Sequence, residues 1–233
     1  PARITLAADS VRIDGLALQG EGARLSIDGR FGDESDLLLT LSAIPLELAR
    51  LATPELDWSG RLDGRFRLTG SRNAPRASGE LTAGGVTLAA LRKAGVSGLD
   101  GSATLDWNGD TLRGESAVTG DFGGPLVASL LLAAPADPQT GLPAIGEGSS
   151  LTGTLAGNVR LGVLNDLLAA RGDRVDGTLA IDLNLFGHLA EPRLGGRFAL
   201  TGGSYRGPLT GVSLDDILLR VNGDGERLTI AEF

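Results

Sequence analysis

Apolar and polar side chains alternate with a period of two along most of this chain. The cleanest run is Val175–Leu185. Val175, Gly177, Leu179, Ile181, Leu183 and Leu185 fall on one side, and Asp176, Thr178, Ala180, Asp182 and Asn184 on the other. Alternation of this length predicts an extended strand with one face in water and the other against apolar matter. Similar runs predict strands at Arg3–Ala7, Val11–Leu18, Ala23–Gly29, Leu37–Leu41, Arg61–Thr69, Val96–Trp107, Thr111–Thr119, Leu126–Leu132, Leu151–Leu161, Leu194–Leu200, Val212–Val221 and Arg227–Ile230. Asn108-Gly109-Asp110 and Asn222-Gly223-Asp224-Gly225 fit hairpin turns that need positive φ.

Two segments leave the pattern. Ile44–Thr53 carries Pro45 near a helix start, and Leu161–Gly172 ends in Arg171 followed by a stop glycine. They predict short helices over about Leu46–Leu51 and Val163–Ala170. Ala133–Ser150, with Pro135, Pro138 and Pro143, shows little alternation and predicts a mobile connecting loop.

The pattern also repeats. Residues 60–79 and 177–196 align without a gap at an offset of 117 residues, and share G-x9-G-x4-P-R-x2-G. The identical positions are Gly60/Gly177, Leu62/Leu179, Leu68/Leu185, Gly70/Gly187, Pro75/Pro192, Arg76/Arg193 and Gly79/Gly196. Both predicted helices fall at the same offset. A fixed-period repeat grows in one dimension and favours an extended surface over a compact enzyme. The expected organisation is a first β unit over 1–133, a connecting loop over 134–150, and a second unit over 151–233 that stops inside a strand-like run. Gly70, Pro75 and Gly79, with Gly187, Pro192 and Gly196, are the expected structural turn residues.

Composition sharpens this picture. The 233 residues include 36 glycines spread along the chain, which suits frequent turns better than a linker. Hydrophobic residues make up 42% but aromatics only 4%, so aliphatic side chains supply nearly all the apolar surface. The net charge of −8 argues against nucleic acid and against polybasic membrane docking. No stretch approaches the roughly 20 apolar residues of a spanning helix. The absence of cysteine removes disulfides from the account.

Chemistry-bearing constellations are sparse. The single histidine, His188, lies in the turn of the second copy, and the first copy has Ser71 there. It reads as a solvated turn residue. There is no G-x-S-x-G elbow and no G-K-[ST] phosphate loop. Asp224 and Glu226 are two acids in a hairpin, short of the six or more oxygens calcium takes. Asp33-Glu34 and Asp215-Asp216 read as solvated pairs, and Trp58 and Trp107 as packing residues. The expectation is a non-enzyme without metal or cofactor.

Taken together, residues 46–81 and 185–230 resemble the periplasmic body of the translocation and assembly module (TamB) family, within the AsmA-like superfamily. The features that carry the resemblance are Gly187, Pro192, Gly196–Phe198, Gly211–Ile217 and Asn222–Gly225, with their partial duplication up to Gly79. The resemblance implies a part of an inner-membrane-anchored protein crossing the periplasm of a Gram-negative bacterium. It implies a long, mainly antiparallel sheet curled into a taco or trough with an apolar interior. It implies outer-membrane biogenesis: phospholipid transport between membranes, or assembly of outer-membrane proteins with the partner TamA. The expected ligands are phospholipid acyl chains, and unfolded outer-membrane proteins are a further candidate.

The alternation itself nominates the groove lining: Leu62, Phe66, Leu68, Leu81, Leu155, Val159, Leu179, Ile181, Leu183, Leu185, Phe198 and Leu200. Two other readings stand beside the conduit. One is a chaperone surface that offers strand edges to unfolded barrel proteins. The other is a closed β-sandwich without ligand, in which the same alternation makes a core.

Overall fold

A computed structural model describes the whole chain apart from residues 1, 8–9, 52–56, 89–91, 93–95, 97, 226 and 233. Fourteen strands form one antiparallel sheet whose spatial order is the order of the sequence. They are β1 (Arg3–Ala7), β2 (Ser10–Gly20), β3 (Ala23–Gly32), β4 (Glu34–Pro45), β5 (Trp58–Ser71), β6 (Ala74–Leu88) and β7 (Leu99–Trp107). After these come β8 (Thr111–Thr119), β9 (Leu126–Ala133), β10 (Ser150–Arg160), β11 (Arg174–His188), β12 (Glu191–Gly207), β13 (Val212–Asp224) and β14 (Leu228–Glu232). The sheet is open, since β1 pairs only with β2 and β14 only with β13. The chain is therefore all-β, and among the described residues no second sheet packs on the first. The closed sandwich is set aside on that ground.

The strand pattern is close to that expected from alternation, with one addition. Strand β6 had no counterpart, because Gly79, Gly84 and Gly85 interrupt its apolar positions. The ladder with β5 overrides this weak local signal. Pairing also moves the last turn. Asn222 and Gly223 lie inside β13, opposite Thr229 and Leu228, so the chain reverses beyond Asp224. Asn108 does shape its turn as expected: its side-chain oxygen accepts the N–H groups of Asp110 and Thr111 at 3.0 and 2.8 Å.

The helical segments lie where the pattern placed them but are mostly 3-10. Leu46–Leu51 is a single 3-10 piece; the expected helix region 44–53 runs at its end into residues outside those described. The second is composite: 3-10 over Leu161–Leu164, a single α-turn α1 (Asn165–Leu168), and 3-10 over Ala169–Arg171. Segments this short close few i→i−4 bonds, which favours the tighter form. Gly172, at φ +70°, ends the second and donates its N–H to Ala169.

The repeat is visible as matching register. Gly70 pairs with Pro75, and Gly187 with Pro192. Phe66 pairs with Gly79, and Leu183 with Gly196, at the same offset. The β5–β6 and β11–β12 ladders both shift register beside Gly60 and Gly177, at φ +131° and +124°. The six expected turn residues thus lie in the strands flanking the two-residue turns at 72–73 and 189–190, with Gly79 and Gly196 well inside β6 and β12.

The segment expected to be a loose joint is tied down at several points. Ala134 and Ala136 donate to Asp110 and Gly109, and Leu189 and Ala190 donate to Ser149 and Glu147. Trp107 donates its indole N–H to Ala134 at 2.7 Å. Strands β9 and β10 pair directly from Leu132/Leu151 onward, so the sheet continues unbroken beneath the loop.

Candidate functional site

In an antiparallel ladder, directly opposed residues project to the same side. Following the register from strand to strand therefore sorts the whole sheet into two faces. One row runs Leu39, Phe66, Gly79, Leu105, Gly114, Leu130, Gly153, Leu185 and Leu194. The next runs Leu41, Gly64, Leu81, Ala103, Ser116, Ala128, Leu155, Leu183 and Gly196. A third takes Val159, Leu179, Leu200 and Leu219. Large side chains repeatedly stand opposite glycine. A Cβ on Gly79 would meet the Phe66 ring at 2.3 Å, so the ring lies across the space a side chain would fill.

All twelve nominated lining residues fall on this face. Ile181 is opposite Phe198, Leu179 opposite Leu200, and Leu155 opposite Leu183; Leu62, Phe66 and Leu68 on β5 share the side of Leu81 on β6. Each is half-buried. Such partial burial is what one sheet gives when its own neighbouring side chains are the only cover. Asp176, Asp182 and Asn184 project from the other face, where Arg197 donates to Asp182 at 3.0 Å. The same polar face carries Arg67, which grips Asp36 at 3.0 and 3.2 Å. Exposed pairs of this kind contribute about 0.2–1 kcal/mol each.

Among the described residues, the buried hydrophobic side chains other than Pro75 lie at or just beyond strand ends in the middle of the sheet. At one end Val96, Leu99 and Phe122 form a cluster, with Val118, Leu126, Val159 and Val163 packed on it. The β8–β9 connection is held there by Arg160, whose N–H donates to Phe122 at 2.6 Å and whose guanidinium donates to Asp121 at 3.1 Å. At the other end Trp107, Leu132 and Leu151 are buried together with Ala134, the first residue of the 134–149 loop. These capping residues were absent from the sequence-based lining. Trp107 and Leu132 ended predicted strands and Leu151 began one, but nothing in the alternation tells a capped position from an open one.

Between the two clusters lies a cleft of about 360 Å³ floored by Ala103, Gly114 and Ala128 and bordered by Phe66, Leu105 and Leu130. Catalytic geometry is a different matter. Among the described residues there is no group of three ligating side chains able to hold a metal; Glu226 of the expected acidic hairpin lies outside them. Asp137, in the loop, is a perturbed titrating group. Its carboxyl is held below the usual range by the Thr140 N–H, then the Gln139 N–H and the Thr140 hydroxyl.

Comparisons with family models, with curated proteins and with solved structures give no match to this chain.

Proposed function

We propose that the chain is a lipid-bearing segment of a periplasm-spanning, TamB-like protein, acting in outer-membrane biogenesis by carrying phospholipid acyl chains along its apolar face. On this reading the sheet curls along its length so that the face becomes the inside of a trough. The full-length protein is anchored in the inner membrane and meets TamA at the outer one. Transfer of unfolded outer-membrane proteins is the companion role the resemblance suggests.

The observation that carries the reading is the largely apolar face that the register carries from β4 to β12, mostly half-buried, with no second sheet over it among the described residues. Each methylene removed from water contributes about 0.8 kcal/mol, so a sixteen-carbon chain laid on such a face gains on the order of 10 kcal/mol. No headgroup pocket is needed for that. The competing edge-strand reading draws on β1 and β14, where Leu6 and Ile230 are 76% and 65% exposed.

Native mass spectrometry of the purified chain tests the proposal. Co-purified phospholipid, displaced by detergent, is the expected result. A chain that stays lipid-free after incubation with phosphatidylethanolamine vesicles, yet captures extended barrel-strand peptides, would favour the edge reading and overturn this one.

A further inference from the structure

Four ladders of the sheet share one kind of irregularity, in which two residues of one strand stand opposite a single residue of the next. Asp14 and Gly15 face Asp28, Ser42 and Ala43 face Asp63, Gly84 and Gly85 face Asp100, and Thr201 and Gly202 face Leu218. In each case the second of the two has positive φ: +65° at Gly15, +49° at Ala43, +61° at Gly85 and +58° at Gly202. Such a bulge leaves its extra residue outside the regular pairing, bends the strand and increases the local twist. Gly85 and Gly202 lie at the offset of the repeat, so the bulge belongs to the repeating unit.

What differs is the facing side chain. Asp28 Oδ1 accepts the N–H of Gly15 at 2.8 Å, Asp63 Oδ1 that of Ala43 at 2.9 Å, and Asp100 Oδ1 that of Gly85 at 3.0 Å. The same atom thus takes the N–H of the same bulge position three times, in alternate ladders. Ala43 shows what the bond does, because L-alanine enters the left-handed region only at a cost. The aspartate fixes which residue of the strand is the extra one. At the fourth bulge the facing residue, Leu218, has no acceptor to offer. The same β12–β13 ladder carries a second bulge beside the first, where Asp215 and Asp216 face Ser204 and Asp216 has φ +57°. Two neighbouring bulges without an aspartate clasp concentrate the freedom to change φ and ψ, which is what a hinge requires.

We propose that Asp28, Asp63 and Asp100 are positioning residues that clasp three bulges and fix the bend of the sheet between β2 and β7, and that the unclasped β12–β13 ladder is a hinge about which the β13–β14 end moves. The clasps and the hinge are independent of what the apolar face carries.

Amide exchange and spin-label distances on the full chain test this. Protection of the Ala43 amide should fall at least fivefold in Asp63→Ala and stay within twofold of the parent in Asp63→Asn, which keeps an acceptor oxygen. Leu218→Asp supplies the missing acceptor and should raise protection at Gly202 at least fivefold. Because the chain has no cysteine, nitroxide pairs can be placed across each bulge, as Ser78→Cys with Thr87→Cys around Gly85 and Arg197→Cys with Pro208→Cys around Gly202. The distance distribution around Gly202 should be the broader of the two. Leu218→Asp should narrow it, and Asp100→Ala should broaden the one around Gly85. Unchanged protection at Ala43 in Asp63→Ala overturns the clasp. Equal widths at the two sites in the parent overturn the hinge, as does a Leu218→Asp variant that changes neither exchange nor width at Gly202. Should Leu218→Asp fail to fold by circular dichroism, an unchanged width around Gly85 in Asp100→Ala overturns the proposal.

Discussion

Replacing Gly70 by alanine asks whether the repeat has a stereochemical cause. Gly70 stands next to last in the β5–β6 ladder, opposite Pro75, at φ +94°, a backbone state that L side chains rarely adopt. Forcing alanine there costs about 1–2 kcal/mol from handedness alone. The new Cβ would also stand 2.3 Å from the Ala74 carbonyl oxygen, which is backbone and cannot rotate away. Relieving that overlap opens the last ladder pair and forfeits about 1 kcal/mol of hydrogen bonding. The expected loss is therefore about 2–3 kcal/mol. For a chain of this size each kcal/mol lowers Tm by about 2–4 °C, which makes about 4–12 °C. Gly187→Ala should do nearly as much, at φ +113° and 2.9 Å from the Glu191 oxygen. Gly211→Ala is the control: its φ of +70° carries the handedness cost, but nothing lies within 4 Å of the added methyl. Thermal unfolding followed by circular dichroism, with hydrogen exchange at the hairpin amides, measures all three. Equal losses at Gly70 and Gly211 would refute the reasoning, because the carbonyl contact would then contribute nothing.

Two other expectations follow from the faces and from the loop. Ile181→Asp should leave the sheet folded with a Tm shift of a few degrees, since a half-buried carboxylate on an open face reaches water; Leu151→Asp, at a buried position, should cost several kcal/mol and aggregate. Comparable melting of the two variants would mean that Ile181 is as enclosed as Leu151. The Asp137 turn should be pH-dependent: its carboxyl is depressed in the folded chain, so its contribution is complete above the ordinary carboxylate range and is lost as pH falls through the lowered value. Protection of the Gln139 and Thr140 amides, taken relative to their intrinsic exchange rates, should fall as pH drops below the ordinary carboxylate range, and Asp137→Asn should remove that acid dependence.

Much of this architecture was legible because the side-chain period of a strand is rigid. Leu179, Ile181, Leu183 and Leu185 could be assigned one face from spacing alone, and a slip of one residue would have exposed all four. Offset glycines such as Gly70 and Gly187 were legible for a similar reason, since turn geometry constrains residue type at fixed distances. Strand β6 was not legible because its signal is supplied by partners: Gly79 is strand only because Phe66 lies over it from β5. The anchoring of the 134–149 loop was not legible for the opposite reason. Its prolines suppress alternation, while the bonds that hold it run from Ala134 to Asp110 and from Leu189 to Ser149, 24 and 40 positions apart. Of the candidate site, the open leucines could be read and the buried clusters could not. Burial at Phe122 and Trp107 depends on where connections fold back over strand ends, and no periodicity encodes that.

Because every strand bonds to the one made just before it, the chain never has to return to an earlier strand to complete a pairing. Long-range closure, the slow and entropically costly step for most β proteins, is largely absent. Such a chain can build its sheet as it emerges, hairpin by hairpin, during synthesis or export. By the same logic, duplicating or deleting one hairpin alters the length of the sheet without re-threading the rest. The spacing between two membranes, on the function proposed above, then becomes a quantity that evolution can adjust in increments of a single hairpin.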